Sequence, residues 1–265
     1  MVIFVNHDDL RSLELMEELI RRGHYVSDQL SDLKYSRIIY LGMKGLDRKH
    51  RLLFGKETIV FSQEYFEQLQ TNSIIFTMVY NEYLDELSKK YHFQYKALLK
   101  NEDFIYKNSI LTAEGLIAYL ISHRRLPLYQ SRVLVLGFGH CAKPIIEDLV
   151  GFKTKVDVAL RDKSKYQEVE MLKGKPLSLT NIKLDNYDIV INTIPMNVIS
   201  HQHIDNVLPS TMIVDIASYP YGLDHHYAIS KGLNCQILPS IPCKYAYGYA
   251  GQMICDEIEK ELENA

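Results

Sequence analysis

A chain of 265 residues is too long for one small core, and the length favours two domains of ordinary size. With 47% hydrophobic and 24% charged residues it has the composition of a globular protein. The formal net charge of −3, with both signs interspersed and no sustained basic stripe, excludes the electrostatic footprint of a nucleic-acid partner.

The N-terminal run Met1-Val2-Ile3-Phe4-Val5-Asn6 lacks a basic flank and a small-residue cleavage site, so it reads as a first strand and not as a signal peptide. No apolar run is long enough to span a bilayer, and the expectation is a cytoplasmic protein without a membrane partner. Cys141, Cys235, Cys243 and Cys255 lack CxxC spacing and lie far apart, which suits reduced thiols and not zinc.

A helix through Leu10, Leu13, Met16, Glu17 and Ile20 follows the first strand, then β-branched or aromatic runs at 37–41, 58–61, 74–79 and 93–98. The helix 82–90 between the last two runs gives an αβ crossover, and its face of Tyr83, Leu84, Leu87 and Tyr91 reads as core packing. Alternation of this kind predicts a mostly parallel sheet. A helix over 108–123, with Thr112 as its N-cap, leads to the turn-like segment 124–129, the domain crossing. Strands at 133–136, 155–160, 187–192, 212–216 and 234–238 repeat the alternation, and a closing helix runs over 247–262.

The most informative segment is Val133-Leu134-Val135-Leu136-Gly137-Phe138-Gly139-His140-Cys141-Ala142, a strand entering a GxGxxA turn, with a helix and a second strand after it. Gly137 permits the tight turn, Gly139 lets the backbone approach a pyrophosphate, and Ala142 is small enough for the helix to pack on the strand. The helix N-terminus then points its free N–H groups at the anion, and Pro144 is tolerated because it lies in the first turn. A glycine pair can also end a strand for turn geometry alone, but the strand–turn–helix–strand context favours a dinucleotide. Within that reading Phe138, His140 and Cys141 belong to the phosphate loop.

After the second strand comes Arg161-Asp162-Lys163-Ser164-Lys165, where an NAD-specific site places an acid on the ribose. Arg161 can stack on adenine while Ser164 and Lys165 meet a 2′-phosphate, which favours NADP. Asp162 can instead reach a ribose, which keeps NAD open, and a solvated charged turn is the plain alternative. The strand ending Asn192-Thr193-Ile194-Pro195 leaves polar residues at the sheet edge where the nicotinamide lies, and Ala217-Ser218 follow the next strand there. Asp215, inside that strand, either serves the site or caps a neighbouring loop.

For substrate, Thr112, Ala113, Glu114 and Gly115 offer a helix start with free N–H groups and a carboxylate able to move a proton. Lys244 and Tyr245, with Tyr247 and Tyr249, supply a cation and phenols, although packing accounts for most tyrosines. His201, His203, His225 and His226 lack a third ligand at metal spacing and read as surface residues.

The segments 108–115, 137–142, 191–195, 215–224 and 238–242, with Ala250-Gly251-Gln252, together resemble the dipicolinate synthase family, specifically its A component, over roughly residues 101–255. The chain departs from that family's pattern at Tyr221-Gly222 (Gly-Gly), at Ser240 and Cys243 in a Leu-Pro-Gly-Leu-Pro-Gly turn, and at Tyr247 and Tyr249. Its first lobe is also shorter. Shikimate dehydrogenases share the Asn-x-x-Pro edge, but their catalytic lysine motif in the first lobe is not found.

The fold class that follows is α/β, with two doubly wound Rossmann-like lobes and a cleft between them. Its expected parts are a flavodoxin-like substrate lobe over 1–110, a connecting helix and linker over 111–130, a NAD(P)-binding domain over 131–245 and a C-terminal helix, 246–265, packing at the lobe interface. The resemblance implies an oxidoreductase that oxidises dihydrodipicolinate to dipicolinate with NADP or NAD during sporulation. It further implies a small dicarboxylate substrate, a homo-oligomer, specifically a dimer, and a flavoprotein-like B subunit. Glu114 and Lys244 are then the catalytic candidates. Thr112, Ala113, Gly115 and Tyr245 hold substrate. Gly137 to Cys141, Arg161, Ser164, Thr193 to Pro195, Ala217 and Ser218 hold cofactor. Two other readings are a dehydrogenase or reductase of another small oxo, hydroxy or imino acid, and a dinucleotide-binding regulatory subunit.

Overall fold

A computed structural model describes residues 2–124 and 126–263. Met1, Arg125 and residues 264–265, which the sequence reading includes in the first strand, the turn-like segment and the closing segment, lie outside the described residues. In chain order the elements begin with β1 (Val2–Val5), α1 (Leu10–Arg21), β2 (Tyr25–Ser27), β3 (Ser36–Tyr40), β4 (Arg51–Phe54), β5 (Glu57–Val60), α2 (Gln63–Glu67) and β6 (Ile74–Thr77). Then come α3 (Glu82–Tyr91), β7 (Gln94–Ala97), α4 (Glu102–Ser122), β8 (Arg132–Leu136), α5 (Ala142–Gly151), β9 (Lys155–Leu160), α6 (Tyr166–Met171) and β10 (Lys175–Ser178). The chain closes with β11 (Ile189–Asn192), α7 (His201–Asp205), β12 (Met212–Asp215), α8 (His225–Ser230), β13 (Asn234–Ile237), α9 (Ile241–Tyr245) and α10 (Tyr249–Glu263). Among the described residues no helix is long and apolar enough to cross a membrane.

The chain forms two compact units, one of residues 1–107 with 246–265 and the other of residues 108–245. The first division falls inside α4, and α10 is grouped with the first unit.

In the first unit a five-stranded parallel sheet runs in the order β2-β1-β3-β6-β7. Phe4, Ile39, Leu41, Phe61, Phe66 and Ile75 centre its core. The run at 58–61, expected in this sheet, instead forms β5, which pairs antiparallel with β4 in a hairpin closed at Gly55 (φ 58°). The helix α1 also corrects the sequence reading. It buries Arg11, Ser12, Glu14, Leu15 and Leu19 and leaves Leu10, Leu13 and Ile20 exposed. Its position is set by α10, where a Cβ on Gly251 would lie 2.4 Å from the Glu14 backbone carbon. Only glycine admits that approach, and the Gly251 N–H donates to Glu14 Oε2 at 3.1 Å.

The second unit holds a six-stranded parallel sheet ordered β10-β9-β8-β11-β12-β13, each strand in register with its neighbours. Val133 and Val135 of β8 enter one core with α4 and α5, and Leu134 and Leu136 enter another on the opposite face. Burial on both faces explains the uninterrupted apolar run that marks this strand. Because β8 leads outward through β9 and β10 on one side and is flanked by β11 on the other, the order reverses between β8 and β11. Ligands of doubly wound sheets bind at the carboxyl ends of the strands beside such a reversal.

Candidate functional site

At the carboxyl end of β8 the chain turns through Gly137, whose φ of 102° is closed to residues with a side chain. A Cβ there would lie 2.4 Å from Thr193 Oγ1 and 3.0 Å from Ile194 Cγ1. Thr193 is itself pinned, its hydroxyl donating to the Leu136 carbonyl at 2.8 Å. Gly137 is therefore required by the protein's own packing. Gly137→Ala is expected to cost about 2–4 kcal/mol from forced φ and overlap, measured by urea unfolding; a loss below about 1 kcal/mol would contradict this account.

Gly139 differs. Its φ is not left-handed, and an ideal Cβ on it meets nothing within 4 Å. Among the described residues nothing accounts for glycine at this position. The helix α5 starts directly afterwards with Cys141 at its N-cap and no side-chain cap. At the positive end of the helix dipole the Lys143 N–H already donates to the Gly139 carbonyl at 3.2 Å and Pro144 has none, which leaves the Ala142 N–H to face an anion. Ala142 is fully buried, so the helix packs tightly, and Phe138 is buried beneath it. The Gly139 and His140 positions are exposed. Burial pushes the Cys141 thiol up, which keeps it neutral and rules it out as a resident thiolate.

Arg161 and Asp162 follow β9 on the same sheet edge, both exposed. Arg161 Nη2 lies 3.0 Å from Met196 Sδ. Asp162 Oδ1 accepts from the Ser164 N–H at 3.0 Å and from its hydroxyl at 2.6 Å. These bonds hold the Asp162 carboxyl below its ordinary value, and they engage the Ser164 hydroxyl that the sequence reading assigns to a phosphate.

The carboxyl ends of β11 and β12 meet at Asp215, which is fully buried. It accepts from Asn192 Nδ2 (2.9 Å), Ala217 N–H (3.1 Å), Gly222 N–H (2.7 Å) and His225 Nε2 (3.1 Å). Asn192 also bonds both backbone groups of Ile194. With its Nε2 proton directed at Asp215, His225 turns Nδ1 towards Cys235 Sγ at 3.2 Å. Burial and the nearby Asp215 push that thiol up to about 12, so it serves as a neutral partner. Asp215 thus caps a loop, as one sequence reading has it, and the loop it caps carries Ala217 and Ser218. His225 is not the surface residue expected, since only 11% of its side chain is exposed. The signal for it was available: a histidine ten residues after a buried aspartate, at the N-terminus of α8.

Thr112 is not an N-cap. It lies within α4, whose N-terminus is ten residues earlier with Asn101 Oδ1 accepting from Asp103 N–H at 3.0 Å, and its hydroxyl donates back to the Asn108 carbonyl at 2.8 Å. The helix-start argument for binding substrate at Thr112, Ala113 and Gly115 therefore fails, because no free N–H groups exist there. Ala113 is fully buried, and a Cβ on Gly115 would lie 2.4 Å from Ile241 Cγ2 and 3.0 Å from Tyr245 Cβ. That close contact brings α9 against α4. Glu114 and Lys244 are exposed side chains on these two packed helices. The Glu114 charge, with burial as the larger cause, helps push the Asp148 carboxyl up. His201 pairs with Asp224 at 3.0 Å and His203 closes a capping box with Ser200.

Residues 120–228 match the family model described as shikimate / quinate 5-dehydrogenase. Over 212 residues the chain is 28% identical to the A component of dipicolinate synthase from Bacillus subtilis (strain 168), covering 79% of this chain and 71% of that protein. Two crystal structures of that dipicolinate synthase component share its architecture at TM-score 0.83. The one from Bacillus halodurans is 26% identical and covers 98% of this chain and 97% of its own; the one from Bacillus subtilis is 25% identical and covers 100% and 96%. The chain is similar to the A component of dipicolinate synthase in sequence and in fold. D-lactate dehydrogenase from Escherichia coli, at 12% identity and TM-score 0.70 over 99% of this chain and 96% of that one, shares the fold alone.

The architecture is that of the NAD(P)-binding dehydrogenases. Against the dipicolinate synthase pattern, Tyr221 (φ 68°) and Ser240 (φ 56°) hold left-handed backbone where that pattern has glycine. The Tyr221 ring stands edge-on to His225 at 5.6 Å and to Tyr219 at 5.8 Å, so the added aromatic borders the Asp215 network.

Proposed function

We propose that this protein is an NAD(P)-dependent oxidoreductase acting on a small cyclic dicarboxylate, with dihydrodipicolinate as its substrate and dipicolinate as its product. The observation that carries the reading is Gly139, an unexplained glycine whose missing Cβ faces open space beside the uncapped start of α5. The residues fit a dinucleotide there. Backbone N–H groups of the Gly139 to Ala142 turn hold the pyrophosphate, and Arg161 faces the adenosine end. NADP rests on Arg161 and Lys165 and NAD on the ionised Asp162, so both cofactors are supported. Thr193, Ile194, Pro195, Ala217 and Ser218 border the nicotinamide end, with Asp215 and Asn192 fixing their loops.

Bound there, the cofactor would supply the hydride acceptor that oxidation of the dihydropyridine ring requires. The chain's own work is to orient that ring, to hold its carboxylates and to take one proton as it becomes aromatic. Glu114 is the proposed proton acceptor and Lys244 the proposed cation for a carboxylate. A homodimer, joined by a flavoprotein-like partner protein, completes the proposed enzyme.

The test supplies freshly generated dihydrodipicolinate with NAD⁺ or NADP⁺ to the purified chain, with and without a candidate partner protein, and follows reduced cofactor. Turnover that falls at least about 100-fold in Glu114→Gln supports the role given to Glu114. Cofactor binding without turnover would refute the substrate assignment.

A further inference from the structure

The first unit carries a polar cluster that the dinucleotide reading does not use. Strand β1 ends in Asn6-His7-Asp8-Asp9, which leads into α1, and β3 ends beside it at Tyr40. The sheet order reverses between β1 and β3, so these carboxyl ends form this unit's own ligand edge.

Four side chains there are more than nine-tenths buried and incompletely bonded, one of them Glu14, 2% exposed, whose Oε1 has no partner. Arg11 is 6% exposed and its Nε has no partner. The Tyr40 hydroxyl is fully buried without one, and so is Asn6 Oδ1, although Asn6 Nδ2 donates to the Leu41 and Leu53 carbonyls.

Among the described residues the nearby acids form no hydrogen bond with Arg11, although its charge acts on Glu14. Asp9 accepts from the Ser12 N–H and hydroxyl, Asp8 accepts from the Met43 N–H at 3.0 Å and the Ser12 hydroxyl at 2.9 Å, and Glu14 Oε2 takes the Gly251 N–H. Among the described residues Arg11 forms no ion pair. Burial, reinforced by the Asp9 and Asp8 charges and opposed by Arg11 and Ser12, pushes the Tyr40 phenol well up, which keeps it neutral.

A guanidinium carries five donors, and burying one without an anion is costly. On the same helix Leu10, Leu13 and Ile20 face solvent, so this helix sets aside the ordinary apolar-inward pattern. Sequences break that pattern where a site requires it.

We infer that Arg11, assisted by the Tyr40 hydroxyl, binds a carboxylate of the ligand at the carboxyl edge of the first unit's sheet. This deepens the proposed function, resting on it only for the ligand's being a dicarboxylate. A planar guanidinium matches a carboxylate in bidentate fashion. The surrounding Asp8, Asp9 and Glu14 disfavour a doubly charged phosphate.

The test is calorimetric titration of the full chain with dipicolinate, glutarate and inorganic phosphate, with NADH present. At least one dicarboxylate is expected to bind. Arg11→Gln is expected to weaken it about 30-fold or more, Arg11→Lys and Tyr40→Phe less, with NADH affinity unchanged. Equal binding by Arg11→Gln, binding of phosphate alone, or no binding of either dicarboxylate by the wild type would overturn the inference. Without ligand, Arg11→Met is expected to keep or raise Tm, because an unanswered buried charge is removed. A fall of several degrees would show a structural guanidinium and overturn the inference. Arg11-dependent glutarate binding without turnover of dihydrodipicolinate would remove the proposed substrate and leave Arg11 standing.

Discussion

Gly139→Asp is expected to abolish NADH and NADPH binding and to leave the fold unchanged. An added side chain at this position meets nothing within 4 Å and needs no left-handed backbone, so Tm should move by no more than about 2 °C. Its carboxylate, however, stands where the pyrophosphate would approach. Two like charges about 4 Å apart at a partly screened surface repel by about 4 kcal/mol, or nearly a thousandfold in affinity. Gly139→Ala separates size from charge and should weaken binding far less. The measurement is calorimetric titration with each reduced cofactor beside a thermal scan. Undiminished binding by Gly139→Asp would remove the phosphate site from this turn.

The second large effect is on stability. Asp215→Ala removes one carboxylate that accepts from four donors, Asn192, Ala217, Gly222 and His225, at a fully buried position. Those donors have no water to turn to, and Gly222 cannot shift, since a Cβ there would already lie 2.2 Å from Asn192 Nδ2. Stranding such a buried cluster costs about 3–5 kcal/mol, a drop in Tm of about 10 °C. Asp215→Asn keeps the shape but points a donor at donors, and should fall between. Because Asp215 holds Ala217 directly and orients Asn192, which in turn holds Ile194, cofactor KM should rise in both variants. A Tm within about 2 °C of wild type in Asp215→Ala would contradict the network's role.

The architecture of the second unit was readable because its signals are local. A strand buried on both faces is written as Val133-Leu134-Val135-Leu136, and a turn that needs φ near 100° is written as glycine. The short edge strands β2 and β10 were not readable, since three or four half-buried residues carry no periodicity. Thr112 misled for a physical reason: its hydroxyl can bond backwards to Asn108 inside a helix as readily as it caps one. The Asp215–His225 contact and the buried Arg11 depend on which residues the sheet order brings together, and neither spacing nor residue type reveals that. In α1 the pattern pointed the wrong way, because leucines took the outer face and charged residues the inner one.

The most direct test is a crystal structure of the protein grown with NADH. The pyrophosphate is expected against the backbone of Gly139 to Ala142 at the start of α5, the adenosine end at Arg161 and Asp162, and the nicotinamide between Thr193 and Ser218. A pyrophosphate seated elsewhere, or full-occupancy crystals with the Gly139 turn empty, would contradict a dinucleotide site built on that turn.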